Sequence, residues 1–180
     1  YHWLRCPRPH AAVEAMYRSV LAQLIRLHND ASKRVSQCPM LAERIFDYDY
    51  LRWESSYFLE QFVNRVCRKP IADYAALNKE LHKVASIVDA ATRTIIHRDC
   101  QCQNIMLKNG KDPYLIDFQG SRLLTPAYDI ASLLWDPYYH LDDRLKEQLL
   151  HYYLESMMER DSSFDRNEFL EVLIPCRMQR

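Results

Sequence analysis

From Ala11 to His28 the apolar residues Val13, Met16, Tyr17, Val20, Leu21, Leu24, Ile25 and Leu27 recur at steps of three and four. That is the spacing of one helix face, and Asn29-Asp30-Ala31-Ser32 reads as its stop. A polar linker with Pro39 follows. The pattern returns over Tyr48–Lys69 through Tyr50, Leu51, Tyr57, Phe58, Leu59, Phe62, Val63 and Val66, and Pro70 ends it. A third helix is predicted over Ala72–Ala91, with Leu77, Leu81, Val84, Ile87 and Val88 inward. The period then changes. Thr94–Ile96, Ile105–Leu107 and Tyr114–Ile116 are apolar runs of strand length. The turn-forming cluster KNGKDP between the last two predicts a hairpin. Pro126 suits the first turn of a helix running through Ala131 and Leu134, and two more helices are predicted at about Asp142–Met157 and Phe164–Val172. The fold class that follows is mainly α with a small β insertion (α+β), in one domain over residues 1–180.

Composition narrows the picture. The chain has 180 residues, 48% hydrophobic and 27% charged, with 24 basic against 24 acidic side chains. That is enough chain for one core, and the balanced charge argues against a nucleic-acid partner. No apolar run approaches the ~18 residues that span a bilayer. The opening YHWLRCPRPH is charged and lacks the apolar segment of a signal peptide, so a cytoplasmic protein with reduced thiols is expected. Cys100 and Cys102 form C-x-C rather than the C-x2-C of zinc sites, with no second pair to complete one. Two glycines in 180 residues leave no room for a P-loop or a G-x-G-x-x-G loop within this stretch.

The unusual polar residues sit in the β insertion, in TIIHRDCQCQNIMLKNGKDPYLIDFQG. Asp99 follows the first strand and opens a loop that Asn104 closes, and Asp117 ends the third strand across the hairpin from Asn104. A hairpin joins its two mouths, so Asn104 and Asp117 can converge. A carboxylate and an amide oxygen are hard ligands that suit Mg²⁺, which fills its shell from water and phosphate oxygens. Asp99 is then free to orient a hydroxyl and accept its proton, the division of labour that phosphoryl transfer needs. Taken singly, each residue has a plainer role: Asp or Asn at a strand end caps a turn, Met106 fits a core, and His97 reads as structural. The ordered set is what carries the signal.

That set resembles a known pattern. His97-Arg98-Asp99 with Asn104 five places on resembles the kinase catalytic loop H-R-D-x-x-x-x-N, and Asp117-Phe118-Gln119-Gly120 resembles D-F-G with one extra residue. With IIHRDCQCQNIM, YLIDFQGSR and PAYDIASLLWDPY, the chain resembles the aminoglycoside phosphotransferase and choline kinase-like superfamily. Within it the chain is most similar to the bacterial branch of N-acetylmuramate/N-acetylglucosamine kinases. The resemblance implies the C-terminal lobe of a protein-kinase-like fold, with ATP as co-substrate and Mg²⁺ as cofactor. It implies Asp99 as catalytic base, Asn104 and Asp117 as metal ligands, Met106 and Ile116 at the nucleotide, and Asp129 bracing the catalytic loop with His97 and Arg98 in support. Gln101 stands where protein kinases carry Lys, so a cation from elsewhere is needed.

Only SRLLTPAY separates Gly120 from Asp129, too little chain for a polypeptide-substrate platform, so a small acceptor is expected. Trp135, Asp136 and Tyr138 are candidate substrate contacts. So are Asp47, Asp49, Trp53, Glu54 and Tyr139, although about half of these aromatic residues would be core. Aromatic faces beside carboxylates suit a sugar, an amino sugar or an amino alcohol, and the family branch favours an amino sugar. The family's phosphate loop and strand lysine have no counterpart here, so the chain is expected to be one lobe, cut at both ends. Its partner lobe would belong to the same polypeptide, and the piece alone would bind ATP weakly and turn over little. The alternatives are a choline- or aminoglycoside-type kinase and a pseudokinase-like binding module.

Overall fold

Aspartates set where the helices start. In the computed structural model, which describes Cys6 and residues 8–180, Asp47, Asp73, Asp142 and Asp165 each accept a hydrogen bond from amides of the first turn they precede, satisfying donors a helix leaves unpaired. The α-helices are α1 His10–Ile25, α2 Pro39–Ala42, α3 Tyr48–Phe58, α4 Tyr74–Ala90, α5 Ala127–Leu134, α6 Asp143–Arg160 and α7 Arg166–Gln179. The strands are β1 Thr94–Ile96, β2 Ile105–Lys108, β3 Asp112–Leu115 and β4 Arg122–Leu124. This is the mainly α, protein-kinase-like fold with a small β part that the resemblance implies.

Several boundaries differ from the sequence expectation. Winding does not stop at Asn29: it continues from α1 through a wider π turn, Arg26–Ala31, and a 3₁₀ stretch, Ser32–Gln37, because His28 and Asn29 are buried rather than facing solvent. Helix α3 widens likewise into a π stretch, Leu59–Cys67, which closes on a left-handed Arg68. The apolar face expected inward there is mostly outside: Leu51 and Leu59 are buried, whereas Tyr57, Phe58, Phe62 and Val66 are exposed. On α4 the packing stripe is Val84, Ala85 and Val88, and Ile87 faces out.

The strands form two separate antiparallel pairs. β2 and β3 make the expected hairpin, in the register Ile105↔Leu115 to Lys108↔Asp112. Its turn uses left-handed Asn109 and Gly110, the two residue types that tolerate positive φ best. β1 pairs with β4 (Thr94↔Leu124 to Ile96↔Arg122), a strand that three residues were too short to announce. Helix α5 is the hub of the core. All eight of its residues are buried, among Tyr17, Leu21 and Leu24 of α1, Leu149 and Tyr153 of α6, and Phe169, Leu173 and Cys176 of α7. Fully burying one such Leu or Ile contributes about 1.5–3 kcal/mol, so this helix is a stable platform from which to hold a loop.

Candidate active site

β1 hands the chain to the loop at His97, and α5 holds the loop in place. Asp129, fully buried on α5, accepts the backbone N–H of His97 at 2.6 Å and that of Arg98 at 2.8 Å. Its Oδ2 also bonds His28 Nε2 at 3.0 Å, and His28 Nδ1 meets Tyr153 Oη at 2.8 Å. Burial first, and the Asp129 charge second, push the Tyr153 hydroxyl pKa well up, so that phenol stays a neutral partner. Arg98 is left-handed at φ 78°, a conformation costing a non-glycine residue about 1–2 kcal/mol. Two amides clamped on one carboxylate hold it there. The Arg98 guanidinium goes to Glu54 at 3.2 Å rather than to Asp129, and lies over the Phe46 ring. The other Glu54 oxygen accepts from Tyr128 Oη at 3.0 Å. The His97 ring is buried, and neither of its nitrogens has a hydrogen-bond partner among the described residues.

Asp99 comes next, with about a third of its side chain exposed. Its carbonyl accepts from Gln101 N at 3.0 Å and from Asn104 Nδ2 at 2.9 Å. That second bond orients Asn104: its NH₂ donates to the loop, so its Oδ1 lies at the other edge of the planar amide as an acceptor. The Asn104 carbonyl in turn accepts Ile116 N at 3.0 Å, which puts Asp117 at the same hairpin mouth. Asp117 is left-handed at φ 67°, exposed, and accepts a hydrogen bond from Gln119 Nε2. A short 3₁₀ turn, Phe118–Gly120, then folds back to the loop. A Cβ built on Gly120 would stand 3.5 Å from Asp99 Oδ2, so the segment after Asp117 lies against the Asp99 carboxylate. Asp99, Asn104 and Asp117 therefore share one mouth. Among the described residues no three His, Cys, Asp or Glu side chains gather as a metal site. A divalent ion here would have to take most of its shell from water or substrate oxygens, as Mg²⁺ does.

Met106 and Ile116 lie on the outer face of the hairpin. Met106 is 56% exposed and pairs across the strands with Tyr114, also exposed. Ile116 continues the stripe at 41%. These three neighbouring side chains form an exposed apolar stripe, and the core reading of Met106 does not hold.

The candidate substrate contacts are placed less favourably. Asp136 is buried, with one oxygen accepting Cys102 N at 2.6 Å and the other Tyr138 N at 2.8 Å. Both oxygens serve backbone amides and the side chain is buried, so Asp136 ties down the far end of the His97–Asn104 loop. Burial, with the hydrogen bond and charge of Asp136 behind it, pushes the Cys102 thiol up to about 12. One face of Trp135 is covered by the Arg177 guanidinium at 4.1 Å. Tyr138 is 47% exposed. Sequence reasoning missed His28, whose contact with Asp129 joins residues 101 positions apart, and took Glu54 for a substrate contact. It also missed Arg180, whose Nη1 sits 3.1 Å from Asp99 Oδ1. No local signal marks any of the three.

Comparison with known proteins fits this geometry. The sequence signature of the phosphotransferase enzyme family (APH) matches residues 2–164, and the chain belongs to that family. No curated protein sequence matches the chain significantly. Among solved structures, a Plasmodium vivax ethanolamine kinase superposes with a TM-score of 0.57 at 16% identity, over 93% of this chain and 51% of that one. The gentamicin complex of APH(2")-IIa gives 0.56 at 11% identity, covering 94% and 63%. The ternary complex of the same enzyme with streptomycin and ATP gives 0.53 at 12%, covering 95% and 64%. The chain thus spans about half to two thirds of the length of these structures. No helix among the described residues is long and apolar enough to cross a membrane.

Proposed function

We propose that the polypeptide to which this chain belongs moves the γ-phosphoryl group of ATP to a hydroxyl of a small molecule, with a sugar or amino sugar as the first candidate. One observation carries the reading: the 2.9 Å bond from Asn104 Nδ2 to the Asp99 carbonyl. It turns the Asn104 amide oxygen away from the loop while the Asp99 carboxylate stays partly open to solvent.

In this reading Asp99 accepts the proton of the acceptor hydroxyl as its oxygen bonds to phosphorus, and the bond from phosphorus to the bridging oxygen breaks to release ADP. Asn104 and Asp117 would hold Mg²⁺, which when bound neutralises charge on the phosphate oxygens. Their donor set fits it, since both can offer hard oxygens. Met106 and Ile116 would lie under the adenine, where their exposed apolar surface becomes useful. Asp129, with the amides of His97 and Arg98, keeps the loop rigid. Of the residues named as substrate contacts, Tyr138 is 47% exposed and Trp135 has one face covered by Arg177.

We read residues 1–180 as one domain, the larger lobe of a two-lobed kinase. The phosphate loop and its lysine would come from a smaller lobe of the same polypeptide. Dependence on ATP would place the reaction in the cytoplasm. Within the family we favour the branch of N-acetylmuramate/N-acetylglucosamine kinases, on the motif text around Asp99, Asp117 and Asp129. A cationic acceptor, as in a choline- or aminoglycoside-type kinase, is the second reading. Trp53 and Tyr57 favour it: they stack at 5.4 Å and are exposed, and exposed aromatic faces can hold an ammonium group.

The test is ADP release by the whole polypeptide with MgATP against a panel of sugars, amino sugars and amino alcohols. Release well above the acceptor-free rate with an amino sugar is expected. Release with amino alcohols or aminoglycosides alone would select the second reading. No acceptor-dependent release would leave the non-catalytic binding module.

A further inference from the structure

The loop from His97 to Asn104 turns its own cation, Arg98, to Glu54 at 3.2 Å, and carries Gln101 where protein kinases have a lysine. One cation nevertheless reaches Asp99. Arg180, at the end of α7, places Nη1 3.1 Å from Asp99 Oδ1, across 81 positions of chain. It is not a loose surface side chain, since three neighbouring contacts fix the turn that delivers it. Arg177 lies over Trp135 at 4.1 Å. Gln179 donates to the Leu51 carbonyl at 2.8 Å and stands 3.4 Å from Ser55 Oγ. The Arg180 guanidinium itself rests over the Tyr128 ring at 5.5 Å. The last turn of α7 is thereby tied to α3 and α5, the elements that hold Glu54 and Asp129.

Charge supports the placement. Burial opposes the guanidinium charge, but Tyr128 and Asp99 outweigh it and raise the Arg180 pKa above its ordinary value. The cation is permanent at any working pH. Arg180 engages Oδ1, while the Cβ that Gly120 lacks would stand 3.5 Å from Oδ2, so the second oxygen is left with space beside it.

We propose that Arg180 is a positioning residue of the phosphoryl-transfer site, orienting the Asp99 carboxylate and supplying beside it a positive charge that the loop, with Arg98 turned to Glu54, does not bring there. This rests on the phosphotransferase reading above, and the two can fail separately. A guanidinium resting over the Tyr128 ring, next to an anchored Gln179, costs little reorganisation as charge develops on the transferring group.

The experiment compares Arg180→Met, Arg180→Lys and the unsubstituted protein, each as the whole polypeptide, in two measurements. The first is the ¹³Cγ resonance of Asp99, assigned through Asp99→Asn. It should move in Arg180→Met and return most of the way in Arg180→Lys. The second is steady-state kinetics with MgATP and whichever sugar or amino alcohol gives turnover. In Arg180→Met kcat should fall at least tenfold with the KM for ATP unchanged, and Arg180→Lys should recover part of the loss. An unmoved resonance would overturn the proposal, as would kcat within twofold of the parent protein. A rise confined to the acceptor KM, with kcat retained, would overturn it too by making Arg180 a substrate contact. If the resonance responds but the parent protein phosphorylates nothing, the phosphotransferase reading fails and takes the catalytic half of the proposal with it. A thermal melt of each variant shows whether a loss is one of folding. If Arg180→Met does not fold, Arg180→Lys alone decides through the same resonance and the same kcat.

Discussion

Replacing Asp129 by Asn is a nearly isosteric change that attacks the support of the His97–Arg98 turn and its buried link to His28. The carboxylate serves three donors: Oδ2 takes His97 N–H at 2.6 Å and His28 Nε2 at 3.0 Å, and Oδ1 takes Arg98 N–H at 2.8 Å. Whichever way the new amide turns, its NH₂ faces a backbone N–H. His28 can change tautomer and accept from that NH₂, but a backbone amide cannot. One buried donor is orphaned, at about 1–3 kcal/mol, and the surviving bonds lose their charge assistance, about 1 kcal/mol more. The total of about 2–4 kcal/mol is a large part of a domain's stability and corresponds to a Tm fall of roughly 5–15 °C at this chain length. Part is recovered if Arg98 relaxes from φ 78°, but that relaxation moves Asp99. Urea unfolding followed by circular dichroism gives the stability change, and ADP release gives turnover in the folded variant. The account expects both to fall. A stability within about 0.5 kcal/mol of the parent, well below the cost of one orphaned donor, together with unchanged turnover, would refute the claim that this carboxylate holds the loop.

Three further outcomes follow. Asp117→Ala should weaken Mg²⁺-dependent nucleotide binding about tenfold or more, measured by calorimetric titration with MgATP, while stability falls by only about 1 kcal/mol, since the side chain is exposed but alanine fits the left-handed φ of 67° less well than aspartate. Met106→Glu should weaken ATP binding severalfold and leave stability within about 0.5 kcal/mol, as exposed substitutions do, since Met106 is 56% exposed; a collapse of the fold would instead make it a core residue. Within residues 1–180, alkylation at pH 8 read by mass spectrometry should label Cys6, Cys38 and Cys67 quickly and spare Cys100, Cys102 and Cys176. With the Cys102 thiol pushed up to about 12 by burial, almost none of it is thiolate at that pH, so labelling of Cys102 should rise with pH well above 8 and reach the exposed rate only on unfolding.

What could be read from the chain depended on how local each cause was. The hairpin was legible because Asn-Gly between two apolar runs is a short-range signal, and the order of Asp99, Asn104 and Asp117 was legible because they lie within nineteen residues of one another. The pairing of β1 with β4 was not, since Arg122-Leu123-Leu124 is too short for a period and gains its strand geometry from Ile95 across the ladder. Apolar spacing on Tyr48–Lys69 identified a helix correctly but misjudged its face, because aromatic residues on both sides blur the stripe and several are left open to solvent. Asp136 looked like a ligand carboxylate in a loop, and only the fold shows that both its oxygens are taken by amides. His28 and Arg180 reach the site over long stretches of chain, where no spacing rule applies.

The central claim is that Asp99 acts on the acceptor and not on the nucleotide. Its most direct test measures MgATP affinity and acceptor-dependent ADP release side by side in Asp99→Asn of the whole polypeptide. The account predicts an affinity within about threefold of the parent, under 1 kcal/mol, with turnover reduced a hundredfold or more, the scale of losing a general base. Turnover that survives the substitution would contradict it.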